Sequence, residues 1–334
     1  MREEFEKMAA AGKLERHYIE ALVQLTNTGF CMHRSWGFGK IRTVDTVFAR
    51  FTIDFPNKAG HTMDLAFAAE SLKLIPKEHI LARKAADLEA LLRLTADLRR
   101  VRAKVFINIT TGTWPSPFWL LYGDSIWRNG QDMGFSGEGS KRRQWINYRD
   151  AVTRQMIVAR APLFPLNSIM NQGITYAREA SSMGNDLQEL KDEFRMFFAD
   201  GTQVQELYMT PTMMTPKMWD ALAEAAKWSR ANADVLVDTH WIGGDVDRGE
   251  VYGYASWSPR KGIVALRNPN SKSASYVLDL AAALELPAPH DYSLKSPWKE
   301  DADRPAIVVP ASQRHRFELK PFEVLVLEAT PGQR

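Results

Sequence analysis

The spacing of apolar positions changes along the chain, and its first rhythm is helical. Residues 1–30 place apolar side chains among charged ones at intervals typical of amphipathic helices, at Phe5, Met8, Leu14, Tyr18, Ile19 and Leu22. Residues 31–75 change to short strand-like runs, which are GKIRTVDTV, FARFTIDF and HTMDLAF. Turn signals bound these runs at Gly37, Gly39, Pro56-Asn57 and Gly60. This segment predicts a small antiparallel barrel or sheet.

A long helical stretch and a repeated strand–loop–helix order follow. Residues 76–103 carry an apolar stripe that predicts a helix, formed by Leu88, Leu91, Leu92, Leu94 and Leu98. From Lys104 onward, four strand-like runs are VFINIT, SIWR, LFPLNSIM and VQELYMTP, and helical stretches follow the last three. Alternating strands and helices favour a parallel (β/α) barrel, but a complete barrel takes roughly 250 residues. Only about 150 residues separate Leu88 from Asp238, so the sequence predicts half a barrel.

Beyond about Asp238 the helical pattern mostly stops. Apolar and polar residues alternate between turn residues in the runs VYGYASWS, GIVALRNP, SYVLDL, AIVVP, RFELK and EVLVLEA. This pattern predicts an antiparallel β-sandwich. The predicted fold class is therefore α/β plus β: a small α+β domain, a partial (β/α)8 TIM-type barrel of about four strand–helix units, and the sandwich. The predicted domains are residues 1–86, 87–238 and 239–334.

Composition and charge narrow the function classes. The 334 residues have a formal net charge of +3, too near neutrality to indicate nucleic acid or a membrane. No apolar run approaches the roughly 20 residues of a membrane helix, and the charged N-terminal stretch does not resemble a secretory signal. Cys31 is the one cysteine, which excludes a disulfide framework, so we expect a cytoplasmic protein. The seven histidines do not cluster at ligand spacing, so we expect neither a metal nor a cofactor.

Aromatic and basic residues are unevenly distributed. Eight of the ten tryptophans lie between Trp114 and Trp257. A large buried core explains this distribution, and so does a sugar cleft, because indole rings stack on the apolar faces of pyranoses. Composition alone favours the core. Lys141-Arg142-Arg143 open a predicted helix and are interpreted as a solvated face.

Several motifs in order carry a resemblance to a known family. The segments FINITTGTWPSPFWLLYGDSIWRNGQD, APLFPLNSIM, ELYMTP and DALAEAAKWSRANADVLVDTHWIGGD resemble the barrel of α-galactosidase-like glycoside hydrolases, the clan of families twenty-seven, thirty-one and thirty-six. VYGYASWSPRKGIVALRNP and LKPFEVLVLEA are similar to the domain that follows such barrels. The resemblance covers about 240 residues. It implies hydrolysis of O-glycosidic bonds in α-linked galactosides or related carbohydrates.

The resemblance also implies catalytic residues. In that clan, the sixth barrel strand ends in an arginine and, four residues later, the aspartate that serves as general acid/base. Trp127-Arg128-Asn129-Gly130-Gln131-Asp132 matches this motif, which implies Asp132 as the acid/base and Arg128 as the basic residue of the site. An acid that protonates a leaving group needs apolar surroundings that raise its pKa. The alternative is that Asp132 is a loop carboxylate that caps the following turn.

Further residues are candidates for substrate binding. Trp114, Trp119 and Trp127 could form the apolar wall and the sugar platform around Asp132. Asp124 and Glu206 could accept hydrogen bonds from sugar hydroxyls.

The second catalytic carboxylate is missing from the pattern. Retaining hydrolysis needs a nucleophile about 5–5.5 Å from the acid/base, and in the family it belongs to a Lys-x-Asp motif that ends the fourth strand. The segment before the helix of residues 76–103 contains no Lys-x-Asp. Its aspartates, Asp45, Asp54 and Asp64, lie in the predicted antiparallel sheet and not in a parallel barrel strand. We therefore expect impaired catalysis. A half barrel leaves two sheet edges unpaired, which predicts poor solubility unless a second copy of the chain closes the barrel by dimerisation.

Residues 1–86 have a resemblance of their own. They are similar to the N-terminal region of some bacterial Gre-like transcription elongation factors, and SWGFGKI resembles the entry to SH3/Tudor-like barrels that bind RNA polymerase or other proteins. This implies an adaptor; a small structural cap is the alternative. The hypotheses are thus a glycoside hydrolase homologue, a non-catalytic fusion protein, and a transcription-associated binding protein.

Overall fold

The structure is a computed structural model that describes residues 1–110, 115–161, 163–286, 291–310 and 313–332, apart from the side chains of Ile80 and Ala86. Contacts divide the chain into two compact units, residues 1–103 and 104–334. The helix predicted over residues 76–103 is therefore grouped with the first unit.

The first unit packs helices against an antiparallel sheet. Its elements are α1 (Arg2–Ala10), α2 (Ile19–Thr28), β1 (Phe30–His33), β2 (Gly37–Asp45), β3 (Arg50–Phe55), β4 (Lys58–Asp64), α3 (Leu65–Ser71), β5 (Leu72–Leu74) and α4 (Ile80–Val101). The five described strands are antiparallel in the order β4-β3-β2-β1-β5, which confirms the predicted antiparallel sheet. Phe5 and Leu22 from the helices share a core with Phe51 and Ile53 from the sheet, and none of the four is exposed.

One predicted strand of this unit is too long. The run HTMDLAF leaves the sheet at Asp64, because the Asp64 carboxylate accepts hydrogen bonds from the backbone N–H groups of Ala66 (2.9 Å) and Phe67 (3.3 Å). An aspartate in this position caps a helix, so Leu65 begins α3 instead of continuing β4. The helix α4 confirms the predicted helical stretch. No described helix is both long enough and apolar enough to cross a bilayer.

The second unit begins with a parallel sheet and its helices. The elements are β6 (Asn108–Ile109), β7 (Ser125–Trp127), α5 (Lys141–Thr153), β8 (Ile169–Tyr176), α6 (Leu187–Phe198), β9 (Val204–Met209), α7 (Pro216–Ala231) and α8 (Ala233–Leu236). Among the described residues, four strands are parallel neighbours in chain order, which confirms the predicted strand–helix alternation. All eight residues of β8 are buried. This strand forms the centre of the unit, whereas β6 is much shorter than the predicted VFINIT strand.

The interpretation of Lys141-Arg142-Arg143 as a solvated face is wrong for two of the three residues. Arg142 is completely buried and Arg143 is 8% exposed. Arg142 forms an ion pair with the buried carboxylate of Glu193, and Arg143 pairs with Asp192 at 2.5 Å. Both carboxylates lie on α6, so two helices that cover the same sheet are joined by buried charge pairs.

The remainder of the second unit is antiparallel. Its elements are β10 (Thr239–Gly243), β11 (Tyr252–Ser258), β12 (Lys261–Arg267), β13 (Ala274–Leu278), α9 (Leu280–Ala283), β14 (Tyr292–Lys295), β15 (Ile307–Val309), β16 (His315–Leu319) and β17 (Val324–Pro331). In the described part, six strands have the order β10-β11-β12-β17-β14-β15, and β13 pairs with β16. Val264 of the larger sheet shares one core with Leu278 and Phe317 of the smaller. The antiparallel C-terminal region is confirmed, with β10 and β14 as unpredicted strands.

Candidate active site

The parallel sheet has two faces of different character. On the face toward α6, the Gln205 side chain donates a hydrogen bond to the Phe197 carbonyl (2.9 Å). Side chains alternate between the faces along each strand, and the strand register places Gln172 beside Glu206. We call the opposite face the inner face. Alternation and register assign to it Asn108, Ser125, Trp127, Met170, Gln172, Glu206 and Tyr208.

The inner face begins with a small polar cluster on β6 and β7. The Ser125 hydroxyl donates to the Asn108 side-chain oxygen (2.7 Å), and the Asn108 amide contacts the Met170 sulfur at 2.9 Å. Ser125 is 1% exposed and Met170 is 9% exposed. These contacts fix the relative positions of the first three strands, so the groups at their carboxyl ends have a rigid base.

The loop that follows β7 turns sharply before Asp132. Asn129 and Gly130 adopt positive φ angles of 70° and 88°, a conformation that glycine adopts at no steric cost. A Cβ atom on Gly130 would lie 2.7 Å from the Val152 side chain, so this position also lacks room for a larger residue. The turn brings Asp132 to the surface beyond the carboxyl end of β7, where the residue is exposed.

Arg128 and Tyr148 hold this loop through its backbone. Arg128 is completely buried and donates hydrogen bonds to the carbonyls of Asn129 (2.8 Å) and Gln131 (3.3 Å). The Tyr148 hydroxyl accepts from the Gln131 N–H (3.0 Å) and donates to the Gln131 carbonyl (3.2 Å). Burial lowers the pKa of Arg128 to about 10, so the guanidinium stays charged at neutral pH. Both side chains therefore fix the residue that directly precedes Asp132.

Glu206 and Tyr208 lie on the inner face of β9, near the carboxyl end of the sheet. Interaction with the Glu206 carboxylate, two positions earlier on the strand, is the largest cause of a raised pKa of Tyr208. Partial burial and the negative charges of Glu206 and then Asp132 raise this pKa further. The charges of Glu206 and Asp132 thus both act on the Tyr208 hydroxyl. Tyr208 was not predicted, although its two-residue spacing from Glu206 on a strand is the signal that would have indicated it.

The other candidate residues have different positions. Trp127 lies on the inner face and is half-buried, whereas Trp119 is 9% exposed and its ring packs edge-on against Phe118 at 5.2 Å. Asp124 precedes β7, and its carboxylate accepts a hydrogen bond from the Ile107 N–H (2.7 Å). Asp124 is therefore at the amino end of the strands, away from Asp132. Trp114 lies outside the described residues.

Buried carboxylates behind the sheet serve as structural partners. Asp200 accepts hydrogen bonds from Asn171 (2.7 Å) and from the Thr202 backbone N–H (2.9 Å), and burial raises its pKa to about 6. Asp150 pairs with Arg149 at 2.8 Å and accepts a hydrogen bond from the Tyr252 hydroxyl (2.6 Å). In the described residues, no group of three acidic, histidine or cysteine side chains could hold a metal ion.

Comparisons with known proteins found solved structures that are similar to this chain. No family model and no curated protein matches the chain. Similar structures include alpha-galactosidase I from Mortierella vinacea, which is 10% identical over 73% of this chain and 64% of that one, with a TM-score of 0.47. A family 36 alpha-galactosidase from Geobacillus stearothermophilus in complex with raffinose is 11% identical over 72% of this chain and 30% of that one, with a TM-score of 0.46. An Anoxybacillus alpha-amylase is 11% identical over 73% of this chain and 56% of that one, with a TM-score of 0.45. The chain spans less than two thirds of each of these proteins.

Proposed function

We propose that the chain is a glycoside hydrolase homologue that hydrolyses α-galactosides or related O-glycosides, with Asp132 as the general acid. The observation that carries this proposal is the position of Asp132, on a loop held at the carboxyl end of a parallel strand. Catalytic groups of (β/α) barrels lie at this end of the strands. The match of residues 127–132 to the family motif supports the same role.

The neighbouring side chains fit the recognition of a sugar. Trp127 presents an aromatic ring on the inner face, and such rings stack on the apolar face of a pyranose. Glu206 and Tyr208 provide an acceptor and a hydroxyl on the same face, and the charge of Asp132 acts on Tyr208. Arg128 is a positioning residue in this proposal, because it is buried and contacts backbone carbonyls of the loop.

Weak activity is part of the proposal. The chain has no Lys-x-Asp motif ahead of α4, so the family's nucleophile is missing. Electrostatic stabilisation and proton transfer from Asp132 remain, and general acid catalysis alone contributes about 10²–10⁴-fold. We therefore expect slow hydrolysis that is most visible with an activated aryl glycoside.

Release of nitrophenol from 4-nitrophenyl α-galactoside tests the proposal. Wild type should release nitrophenol, and it should also release galactose from methyl α-galactoside. Asp132→Asn should lose at least about 100-fold in rate on the methyl glycoside, because its poor leaving group needs the proton that an amide cannot donate. The matched control is Glu318→Gln, an exposed carboxylate on β16 in the antiparallel region, which should retain wild-type activity. Equal rates for wild type and Asp132→Asn on the methyl glycoside would contradict the proposal.

The division of the chain into two compact units favours a second role, that of a protein-binding adaptor. Residues 1–103 form a compact unit with its own core, as expected of an adaptor, and the resemblance to Gre-like factors suggests RNA polymerase as its partner. Immobilised RNA polymerase should retain the full-length chain if this role is correct. Passage of the chain through the column without retention would exclude it.

A further inference from the structure

We infer that a second copy of this chain closes the half barrel, so that the protein is a dimer built around one eight-stranded parallel barrel. The surface that binds the second copy consists of the two edges of the parallel sheet, at β6 and at β9. This inference goes beyond the proposed function, because it concerns the assembly of two chains. It follows from the open edges, from the apolar side chains exposed there and from the number of strands.

The parallel sheet has two open edges. Within the described residues, β6 pairs with β7 alone and β9 pairs with β8 alone. The Gln203 N–H donates to the Asn167 carbonyl (3.0 Å), which lies on the β8 side. Successive N–H groups of a strand point to opposite sides, so those of Val204 and Glu206 point to the open edge. An edge of this kind is a template for pairing with a further strand.

The strand β9 lacks the cover that a parallel strand normally has. Parallel strands are usually buried on both faces, and all eight residues of β8 are buried. On β9, Leu207 and Tyr208 point to opposite faces, and each is 43% exposed. Trp219, on the helix α7 that follows β9, is exposed to the same extent. Both faces of β9 are therefore open as well as its edge.

The edge at β6 also exposes apolar side chains. Phe106 lies two positions before β6 and is exposed. A short helical turn, Pro117–Leu121, follows β6 and exposes Phe118, Leu120 and Leu121. The two edges thus present apolar surface of the same kind, and each can cover the other when two sheets meet.

The exposed apolar surface is large enough for a stable dimer. The apolar side chains at the two edges have exposed fractions from 39% to 75%, and they are Phe106, Phe118, Leu120, Leu121, Leu207, Tyr208 and Trp219. A large side chain has about 200 Å² of surface, so these residues expose roughly 650 Å² in one copy and about 1,300 Å² in two. Specific protein interfaces bury about 1,200–2,000 Å². The apolar side chains of the edges alone therefore reach the lower part of this range.

The number of strands favours two copies over more. Four parallel strands from each of two copies make the eight of a (β/α)8 barrel. The interior of an eight-stranded barrel is just wide enough for side chains to fill, whereas much larger barrels leave a channel. A twofold axis along the barrel places β9 of each copy beside β6 of the other, so that all strands stay parallel and the two junctions are identical. The same axis brings both Asp132 loops to one mouth of the barrel.

Size-exclusion chromatography with light scattering measures the mass of the full-length protein at several concentrations. We expect twice the 37.9 kDa of one chain. The mass of a single chain at every concentration, or the mass of three or more copies, would overturn the inference. No substrate is needed, so an active monomer would overturn the inference and leave the proposed function standing, whereas an inactive dimer would do the reverse.

Two variants test the junction between β9 and β6. Leu207→Lys places a charge on the β9 edge, and Phe106→Glu places the opposite charge at the β6 edge. Each should raise the dissociation constant of the dimer at least about tenfold, the effect of one well-packed interface side chain. The matched control is Val277→Lys on β13 of the sandwich, where the side chain is 45% exposed; it should keep the wild-type dissociation constant.

Mixing the two variants distinguishes this junction from a pairing of β9 with β9. An equimolar mixture of Leu207→Lys and Phe106→Glu should dimerise more tightly than either variant alone, because one junction is then unchanged and the other joins opposite charges. A dimer that Leu207→Lys weakens and Phe106→Glu leaves unchanged would overturn the inference, since the two β9 strands would then pair with each other. Circular dichroism should show both variants folded, because both side chains are exposed in one copy.

Discussion

Replacing Glu193 with glutamine tests the buried charge pair behind the sheet. The substitution removes the negative charge opposite Arg142 and nearly preserves the side-chain size. Both side chains of this pair have no exposed surface. Glu193 also accepts hydrogen bonds from the Trp145 indole N–H (2.9 Å) and the Thr175 backbone N–H (3.2 Å), which the amide oxygen of glutamine can keep. The amide nitrogen then faces the Arg142 guanidinium, so the variant loses both the negative charge and the acceptor at this position.

The size of the effect follows from what Arg142 retains. Removing one partner of a buried ion pair costs about 3–5 kcal/mol, because the other charge remains without compensation. The guanidinium keeps hydrogen bonds to the carbonyls of Thr175 and Gly184, both at 3.1 Å. These bonds place the expected loss near the lower limit, at about 3 kcal/mol in the free energy of unfolding.

Urea unfolding followed by tryptophan fluorescence measures this loss, because Trp145 is completely buried beside Glu193. The control is Glu318→Gln, since the carboxylate of Glu318 is 68% exposed and lies 3.7 Å from Arg316. Removing one charge of such an exposed pair should change the free energy of unfolding by less than about 0.5 kcal/mol. A loss below about 1 kcal/mol for Glu193→Gln would refute the reasoning.

Two further predictions concern the loop and the pH dependence. Gly130→Ala should destabilise the protein by about 1–3 kcal/mol and lower activity, because it adds a side chain at φ 88° within 2.7 Å of Val152. The control is Gly29→Ala, which also has a positive φ, of 73°, but has open space around it, so it should lose less stability and keep its activity. Equal thermal shifts for the two variants would contradict this. Burial raises the pKa of Asp200 from 3.8 to about 6, so the folded state binds this proton more tightly than the unfolded state does. Protonated Asp200 therefore adds about 3 kcal/mol to the free energy of unfolding. This contribution is present below pH 4 and is lost as the pH rises through 6. Asp200→Asn should flatten the pH dependence of urea unfolding in this window, and an unchanged slope would contradict the assignment.

The sequence predicted the elements whose periodicity is set by local burial. The helices α6 and α7 bury one face each, which includes Leu190, Phe194 and Phe197 in α6 and Met218, Leu222 and Ala225 in α7, so their apolar residues recur at helical spacing. The prediction that the strand continues through Leu65 was wrong, because the side chain of Asp64 caps a helix there. A two-residue alternation of apolar and polar positions does not reveal such a cap. The strand β10 was missed because its short run follows directly on a helix.

The site was only partly predictable, because its geometry depends on contacts between distant residues. Asp132 and Glu206 were both candidates, but the face of the sheet on which Glu206 lies depends on the strand register. Arg142 was interpreted as solvated because its partner, Glu193, lies 51 positions later in the chain. The same limit applies to Asp124, whose hydrogen bond to Ile107 becomes visible only when β6 and β7 pair.

The most direct test of the account is the rate at which wild type and Asp132→Asn release galactose from methyl α-galactoside, with both proteins shown by circular dichroism to be equally folded. The account predicts measurable turnover by wild type and a loss of at least about 100-fold in the variant. Identical rates in the two proteins, or no turnover in either, would contradict it.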